Sequence, residues 1–256
     1  MLENLVSGAL LDAAERRSLR SLAQVESDAL ARPAALDALA HLAPSSRVRI
    51  IAEVKRASPS RGLIAEILDP ALLAVSYQHG GASAISVLTE GRKFGGSLAD
   101  LEAVRDAVTI PVLRKDFIAE PYQLFEARAA GADIVLLIVA ALDQATLSSL
   151  FDLSSQLGMA ALVETHSADE VSRALDVGAA VVGVNARDLS TFELDQNLFG
   201  TLAHQIPSGV IRVAESAVKT AADVVHYRQA GADVVLVGEA LVTGDPVSTL
   251  ATFLGN

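Results

Sequence analysis

Short apolar runs alternate with helical patterns along most of this chain. Eight such runs follow residue 47, and a segment with the 3.6-residue period of a helix separates each run from the next. Strands that alternate with single helices form βαβ units, and such units build a parallel sheet. Eight of them within 256 residues predict an α/β fold, a single (β/α)8 TIM barrel, for which about 250 residues is typical. The runs begin near Ile50, Ala84, Val112, Ile134, Ala160, Val181, Val210 and Val234.

A glycine repeat gives a second indication of the barrel. Four glycines, each followed by alanine, stand just before the second, fourth, sixth and eighth runs. They recur about every 50 residues, which is the length of two βα units. Each fits the C′ position that ends a helix, where a positive φ is wanted. The four are Gly81, Gly131, Gly178 and Gly231.

Residues 1–47 precede the first run and have a different composition. This segment is rich in alanine and leucine at helical spacing, and Pro33 and Pro44 interrupt it. It predicts two or three helices, an N-terminal helical extension of a barrel over residues 48–256, with both parts in one domain. The extension either braces the barrel or forms a lid over its top, and both alternatives stay open.

The chain is acidic and poor in aromatic residues. Its formal net charge is −11 and its aromatic fraction is 4%. This argues against nucleic-acid binding, because phosphate contacts need positive charge and base stacking needs aromatic rings. No cysteine is present, so disulfides, cysteine nucleophiles and thiolate metal sites are excluded. An anionic ligand must therefore be held by a local cluster of positive charge.

The chain carries no signal for a membrane or for export. Its longest apolar run, from Ile134 to Leu142, is far shorter than the roughly 20 residues of a membrane helix. The first residues lack the basic and then apolar layout of a signal peptide. We expect a cytoplasmic protein that binds neither a membrane nor nucleic acid.

Signatures of a metal or nucleotide cofactor are also missing from the sequence. The five histidines show no paired spacing of the kind that metal ligands have, and there is no dinucleotide-binding glycine fingerprint and no P-loop. His166 follows the end of a predicted strand, where its ring either faces the site or serves the loop and the next helix. The second role is favoured.

Charged residues cluster at the C-terminal end of the first predicted strand. Barrel enzymes have their active sites at the C-terminal ends of their strands. Side chains alternate along a strand, so Ile51, Glu53 and Lys55 share one face. A carboxylate and an ammonium group at the end of a buried strand are costly unless each has a partner or a function. The loop over residues 56–61 adds two serines and two arginines, which suit an anion.

The same face collects polar residues at the ends of other strands. Counting back by two from Lys115, Glu164 or Glu215 reaches apolar residues, so these side chains are predicted to enter one mouth. Each of these residues, taken alone, fits a structural ion pair as well as it fits an active site. Structural ion pairs do not explain all of them together. Alternating charges in close proximity shift pKa values and favour general acid–base chemistry. The polar strand-end residues are Glu53, Lys55, Thr89, Glu90, Lys115, Glu164, Asn185, Arg187, Glu215, Ser216, Gly238 and Glu239.

The loops after the seventh and eighth strands are predicted to hold a phosphate. In many barrels these loops and a short helix bind phosphate through backbone N–H groups. Here they are residues 215–218 and 238–241, and Ser58 and Lys55 from the first loop are predicted to reach the same phosphate oxygens. The required local positive field is assigned to Lys55, Arg56, Arg61, Lys115 and Arg187.

Several motifs of this chain resemble those of the indole-3-glycerol-phosphate synthase family of tryptophan biosynthesis. They occur in the family's order over nearly the whole chain, and the family also has a helical N-terminal extension. The matching motifs are IAEVKRASPS at 51–60, LRKDFI at 113–118, AD at 132–133 with LLI at 136–138, LVE at 162–164, GVNARDL at 183–189, AES at 214–216 and VGE at 237–239.

The resemblance implies a carboxy-lyase that acts on 1-(2-carboxyphenylamino)-1-deoxyribulose 5-phosphate, a phosphorylated small molecule. In this reaction the ring carbon that bears the carboxylate attacks the ribulose carbonyl. Loss of carbon dioxide and then of water gives indole-3-glycerol phosphate. No metal or organic cofactor is implied. We expect a monomer, with a weak dimer as the alternative.

The family's roles carry over to the matching positions of this chain. The resemblance implies that Lys115 is the general acid of carbonyl attack and that Glu164 is the general base of the dehydration. Lys55 would pair with the substrate carboxylate, with Glu53 holding it in place. Orientation of the sugar hydroxyls, the carboxylate or the catalytic groups would fall to Asn185, Arg187, Glu215 and Ser216. Substrate binding would involve Phe117, Leu136 and Pro59 at the aryl ring, and Ser58, Lys55 and backbone N–H groups near Ala217, Gly238 and Glu239 at the phosphate.

One position departs from the family pattern. Where the family usually has Glu-Ser-Gly, this chain has Glu215-Ser216-Ala217, and the glycine normally lets the backbone approach the phosphate. If the position needs a positive φ, alanine costs roughly 1 kcal/mol or more. Otherwise its methyl group crowds the anion. In both cases we predict a raised KM with the chemistry intact.

Two rival functions fit part of the pattern. A related phosphate-binding barrel, phosphoribosylanthranilate isomerase, commonly uses a cysteine in its acid–base pair, and this chain has none. A barrel that only binds a sugar phosphate would be expected to lose some of the catalytic candidates. This chain keeps Glu53, Lys55, Lys115 and Glu164. Lys115→Ala separates the alternatives, because an enzyme loses turnover and still binds product, whereas a binding protein loses only affinity.

Overall fold

A computed structural model describes residues 1–188 and 193–255 of the chain. Eight parallel strands close into a barrel, and helices separate consecutive barrel strands, so the TIM-barrel prediction is confirmed. Leu189, which ends the motif GVNARDL, lies outside the described residues. The strands are β1 (Arg49–Val54), β2 (Ala57–Ser58), β3 (Gly62–Leu63), β4 (Ala84–Leu88), β5 (Val112–Lys115), β6 (Ile134–Ile138), β7 (Ala160–Thr165), β8 (Val181–Asn185), β9 (Ile211–Glu215) and β10 (Val234–Val237).

The barrel strands lie in the order β1-β10-β9-β8-β7-β6-β5-β4, and β4 pairs with β1 to close the ring. β1 starts at Arg49 instead of Ile50 and β9 at Ile211 instead of Val210, while the other barrel strands start at the predicted residues. The agreement is close because strands of a parallel barrel are buried on both faces. They therefore appear in the sequence as continuous apolar runs.

Helices surround the barrel and begin at polar caps. The side chains of Asp69, Ser97 and Asp143 each accept a hydrogen bond from a backbone N–H of the helix that they precede. The four glycines of the repeat have φ between 81° and 99°, as predicted for C′ positions. Within the described residues no helix is long and apolar enough to cross a membrane. The helices are α1 (Leu2–Leu19), α2 (Leu22–Ala31), α3 (Ala38–Leu42), α4 (Pro70–His79), α5 (Leu98–Ala107), α6 (Pro121–Ala129), α7 (Gln144–Gln156), α8 (Ala168–Asp176), α9 (Leu198–Ala203), α10 (Ala221–Gln229), α11 (Glu239–Val242) and α12 (Pro246–Leu254).

Two apolar layers meet at the strands. Ile50 and Val54 of β1 pack outward against the helices, whereas Ile51 belongs to the cluster inside the barrel. Because side chains alternate along a strand, the inward face continues from Ile51 to Glu53. The strand residues that fill the barrel interior are Ile51, Ala84, Leu113, Ile134, Leu136, Ile138, Leu162, Val181, Ile211, Val213, Val234 and Leu236.

The N-terminal helices pack against the barrel. α2 packs along α6, and Arg16 of α1 forms a bidentate ion pair with Glu126 of α6, with Nε 2.5 Å from Oε1. Asp12 of α1 pairs with Arg92 in the loop after β4 at 2.6 Å. Leu42 of α3 joins the apolar cluster inside the barrel. Among the described residues, none of these three helices lines the cavity at the top of the barrel, but α1 contacts the loop after β4 and the segment after β6 at that end.

The loop after β1 contains a hairpin that the sequence did not predict. β2 and β3 pair antiparallel, with Ala57 opposite Leu63 and Ser58 opposite Gly62. Gly62 has a φ of 65°, which allows the tight reversal. The sequence predicted only a turn-rich loop here, because two-residue strands are too short to produce a recognisable alternation.

Candidate active site

A cavity of about 360 Å³ opens at the C-terminal end of the barrel. Every residue that the sequence analysis assigned to catalysis or substrate binding lines this cavity. Parallel strands of a barrel all end at the same rim, which brings together residues that are far apart in the sequence. The residues are Glu53, Lys55, Ser58, Pro59, Lys115, Phe117, Leu136, Glu164, Asn185, Arg187, Glu215, Ser216, Ala217, Gly238 and Glu239.

A lysine between two carboxylates forms the charged centre of the cavity. Nζ of Lys115, at the end of β5, lies 2.7 Å from Oε2 of Glu215 and 3.2 Å from Oε2 of Glu164. Both glutamates are buried, each with 1% of its surface exposed. A second pair stands on β1, where Nζ of Lys55 lies 2.8 Å from Oε1 of Glu53. Each buried charge therefore has a partner of opposite sign.

The end of β8 carries an amide that two hydrogen bonds hold in place. The Ser216 hydroxyl donates to Oδ1 of Asn185 at 2.7 Å, and the backbone N–H of Arg187 donates to the same oxygen at 3.0 Å. Burial acts to raise the pKa of Glu164, Lys115 and then His166 lower it, and an interaction with Asn185 adds to the lowering. Asn185, held by Ser216, therefore belongs to the surroundings of the Glu164 carboxylate.

The loops after β1 and β10 meet at one side of the cavity. A Cβ added to Gly238 would lie 2.7 Å from Oε1 of Glu53 and 3.2 Å from Nζ of Lys55, so the absence of a side chain makes room for this ion pair. Arg61 reaches across from the first loop and pairs with Glu239 at 3.0 Å. Positive side chains and the first turn of α11 therefore lie together, as an anion requires.

Some residues singled out from the sequence do not enter the cavity. Arg56 was expected to add to its positive field, and this prediction is wrong. Arg56 follows Lys55, turns to the opposite side and pairs with Asp100 of α5 at 2.5 Å. Thr89 and Glu90 at the end of β4 also bind protein groups, since Thr89 donates to Asp116 and Glu90 accepts backbone N–H groups of the next loop.

The sequence analysis missed part of the apolar wall. Phe94, in the loop after β4, lines the cavity, and its ring centroid lies 6.1 Å from that of Phe117. Ile138 also lines it and follows Leu136 by two residues on β6, so counting by two would have found it. Phe94 stands in a glycine-rich loop, GRKFGG, where no periodicity shows which way a side chain points.

Comparison with known proteins identifies the family. A family model for indole-3-glycerol phosphate synthase matches residues 2–252. The indole-3-glycerol phosphate synthase of Leifsonia xyli subsp. xyli is 69% identical over 255 residues, covering 100% of this chain and 98% of that protein. The chain belongs to the indole-3-glycerol phosphate synthase family. The synthase of Mycobacteroides abscessus is 56% identical over 252 residues, covering 98% of this chain and 92% of its own length.

Solved structures of low identity share the barrel. An N-acetylmannosamine-6-phosphate 2-epimerase from Clostridium perfringens has a TM-score of 0.59 at 14% identity, covering 75% of this chain and 86% of its own. A structure described as "Native KDPGal structure" has a TM-score of 0.58 at 18% identity, covering 82% of this chain and 95% of its own. At these identities the likeness shows the fold alone. The family assignment rests on the sequence relatives and makes this chain a lyase of tryptophan biosynthesis that closes a ring with decarboxylation.

The three central groups of this synthase have displaced pKa values. Burial opposes the charge of Lys115, but Glu215 and Glu164 raise the pKa of its ammonium above the ordinary value. Burial also acts to raise the pKa of Glu164, but Lys115 and then His166 lower it. Burial raises the pKa of Glu215 to about 8, with Glu164 adding to the rise and Lys115 opposing it. The three groups therefore titrate as one coupled cluster, in which burial and the neighbouring carboxylate favour a proton on Glu215, whereas Lys115 and His166 favour the ionised form of Glu164.

We expect Glu215→Gln to raise the melting temperature more at pH 8 than at pH 5. Between the ordinary pKa of 4.5 and the folded value of about 8, the folded chain keeps a proton that the unfolded chain has released. The contribution of Glu215 to the unfolding free energy therefore falls as pH rises through this window. Glutamine removes that dependence. Thermal unfolding at several pH values tests this, with the exposed Glu102→Gln as control, and a pH-independent difference would contradict it.

Two residues after β9 have strained backbone. Ser216 and Ala217 have φ of 69° and 60°, and they are the non-glycine residues with positive φ in the part of the chain that the structure describes. This region costs an L-residue roughly 1–2 kcal/mol. Of the two explanations considered for the family glycine, a need for positive φ is therefore the one that holds at Ala217. Strain of this kind concentrates at functional sites.

Ala217→Gly is expected to stabilise the synthase by roughly 1 kcal/mol and to lower KM with kcat unchanged. Glycine adopts the left-handed conformation without strain, so the loop that is predicted to hold the phosphate should bind it more readily. Chemical denaturation and steady-state kinetics measure the two effects. The matched control is Ala222→Gly in α10, an exposed helical position where glycine should instead destabilise by about 1 kcal/mol. Unchanged KM and phosphate affinity in Ala217→Gly would contradict the expected gain in binding.

Proposed function

We propose that Lys115 is the general acid of ring closure in this indole-3-glycerol phosphate synthase and that Glu164 is the general base of its dehydration step. The observation that carries the proposal is the position of the Lys115 ammonium between Glu164 and Glu215, at 3.2 Å and 2.7 Å. An acid and a base in contact on the wall of one cavity are suited to act in turn on neighbouring atoms of one substrate.

Ring closure needs a proton donor that stays charged until it is used. Attack of the aromatic carbon on the ribulose carbonyl places negative charge on the carbonyl oxygen. The raised pKa of Lys115 keeps its ammonium protonated until that more basic oxygen develops. The neighbouring Glu215 holds the lysine in position from the opposite strand of the barrel, with its own charge reduced by burial.

Dehydration needs a base that is ionised at working pH. Glu164 meets this requirement, because Lys115 and His166 lower its pKa even though it is buried. The hydrogen bonds of Asn185 to Ser216 and to the Arg187 backbone hold the neighbouring amide in a single orientation. Ser216 and Asn185 are therefore assigned to positioning, and Arg187 to contact with the substrate.

The remaining cavity residues are assigned to binding. Lys55, held by Glu53 at 2.8 Å, is placed to pair with the substrate carboxylate until carbon dioxide leaves. Phe117 and Leu136 form an apolar wall for the aryl ring, with Pro59 at the rim. The phosphate is assigned to the part of the cavity that is lined by Ser58, Lys55, Ala217, Gly238 and Glu239.

A fluorescence assay tests the proposed reaction. Purified protein is mixed with 1-(2-carboxyphenylamino)-1-deoxyribulose 5-phosphate in chelator-treated buffer, and the emission of the indole product is followed. We expect emission to rise without added metal. Saturable quenching of substrate fluorescence without indole formation would instead indicate a barrel that only binds. Absence of both signals would contradict the substrate assignment.

A further inference from the structure

His166 lies directly behind Glu164, outside the cavity wall. Its ring stands between two carboxylates, with Nε2 3.4 Å from Oε1 of Glu164 and Nδ1 3.2 Å from Oε2 of Glu170. The side chain is 12% exposed, and that of Glu164 is 2% exposed. The ring therefore separates a buried carboxylate of the site from a second carboxylate nearer the surface.

The ring is held rigidly by the start of α8. Glu170 lies in the first turn of this helix, and its Oε2 accepts the backbone N–H of His166 at 2.8 Å as well as facing Nδ1. The backbone N–H of Glu170 in turn donates to the capping hydroxyl of Ser167 at 3.3 Å. One carboxylate thus fixes both the backbone and the ring of His166, which aims Nε2 at Glu164.

Two buried atoms that face each other lack a hydrogen-bond partner among the described residues. They are Nε2 of His166 and Oε1 of Glu164. An unpaired buried acceptor of this kind costs about 1–3 kcal/mol, and more when it is charged. A proton on Nε2 gives both atoms a partner, because the positively charged ring then donates a hydrogen bond to Oε1. The other oxygen of Glu164 is already bound by Lys115.

The charges around the ring favour its protonated form. Glu164 faces it from β7, Glu170 from α8 and Glu215 from β9. Lys115 lies on the far side of Glu164. Burial acts to lower the pKa of His166, but the Glu170 hydrogen bond and then the charge of Glu164 raise it above the ordinary value.

We propose that His166, clamped by Glu170, is a positioning residue that keeps Glu164 ionised and aimed for its role as base. The inference rests on the proposed function of Glu164. It adds a residue outside the cavity to the groups that control the dehydration step, and it assigns Glu170 to holding the ring.

The test is the pH dependence of kcat in His166→Gln. Glutamine keeps a hydrogen-bond donor but carries no charge, so Glu164 should take up a proton at higher pH. We expect the acid limb of the kcat profile to shift to higher pH by about one unit. At pH values below the limb, kcat of the variant should be about tenfold lower than that of the wild type. At pH values above the raised pKa of His166, where the wild-type ring has also lost its charge, kcat should stay within about twofold, and KM should be unchanged throughout.

Matched variants separate the possible outcomes. Glu170→Gln should shift the limb in the same direction by a smaller amount, and it carries the test if His166→Gln fails to fold. His79→Gln, at an exposed position at the end of α4, should leave the profile unchanged. A loss of kcat that is equal at all pH values would overturn the proposal, because it would indicate a merely structural role.

Glu164→Gln distinguishes this inference from the proposed function. If the acid limb disappears in Glu164→Gln but stays in place in His166→Gln, Glu164 remains the base and only the role of His166 is refuted. If the limb persists in Glu164→Gln, the base assignment itself fails, and the role of His166 fails with it.

Discussion

Replacing Lys115 with methionine is expected to lower kcat about 10³-fold while the product still binds. Methionine has an unbranched stem of similar length but no proton to donate. The phosphate and the aryl ring are assigned to other residues of the cavity, so binding should persist. Steady-state kinetics and product titration by fluorescence measure the two effects separately.

Two controls keep this result interpretable. Lys93→Met removes an exposed lysine in the loop after β4, and it should leave kcat unchanged. Loss of the Lys115 cation also leaves Glu164 and Glu215 facing each other, so thermal unfolding must show that Lys115→Met is folded at the assay temperature. Turnover within tenfold of the wild type in a folded Lys115→Met variant would refute the assignment of the general acid.

Gly183→Ala is expected to lower kcat at least about 100-fold, although Gly183 has no side chain that could take part in the reaction. A Cβ at this position of β8 would lie 2.2 Å from Oε1 of Glu215 and 3.1 Å from Cδ1 of Leu162. Glu215 is buried and cannot move outward, so its carboxylate must turn and take Lys115 with it. A displacement of about 1 Å in a catalytic group is enough for a loss of this size.

A compensating variant tests the physical reason for this loss. Glu215→Asp shortens the side chain by one carbon, so the double variant Gly183→Ala/Glu215→Asp should recover part of the activity that Gly183→Ala loses. Gly209→Ala serves as the control, because a Cβ there meets no atom within 4 Å. Wild-type kcat in Gly183→Ala, or no coupling in the double variant, would contradict the contact argument.

Much of the fold was readable from the sequence because a parallel barrel repeats one simple pattern. Each strand is buried on both faces, so apolar runs mark the strands almost to the residue. The alternation of side chains then predicts which strand-end residues share the cavity, as it did for Glu53, Lys115, Glu164 and Glu215. Gly183 lies two residues before Asn185 and so shares its inward face, but only the structure shows that Glu215 occupies the space beside it.

Features that depend on loops and on neighbouring elements were not readable in this way. The direction of Arg56 is decided by Asp100 in α5, and the place of Phe94 is decided by a loop without periodicity. The clamp on His166 depends on Glu170 and on the way in which α8 begins. Such arrangements need the three-dimensional packing, because no periodic pattern records them.

A single-turnover experiment that follows carbon dioxide and indole together tests the division of roles between Lys115 and Glu164 most directly. Substrate labelled in its carboxylate would be mixed with excess wild type, Lys115→Met or Glu164→Gln. We predict that Lys115→Met slows both releases together, because ring closure precedes them, whereas Glu164→Gln releases carbon dioxide at nearly the wild-type rate and forms indole slowly. Equal slowing of both products in Glu164→Gln would contradict a role confined to dehydration, and prompt carbon dioxide release by Lys115→Met would contradict its role as the acid of ring closure.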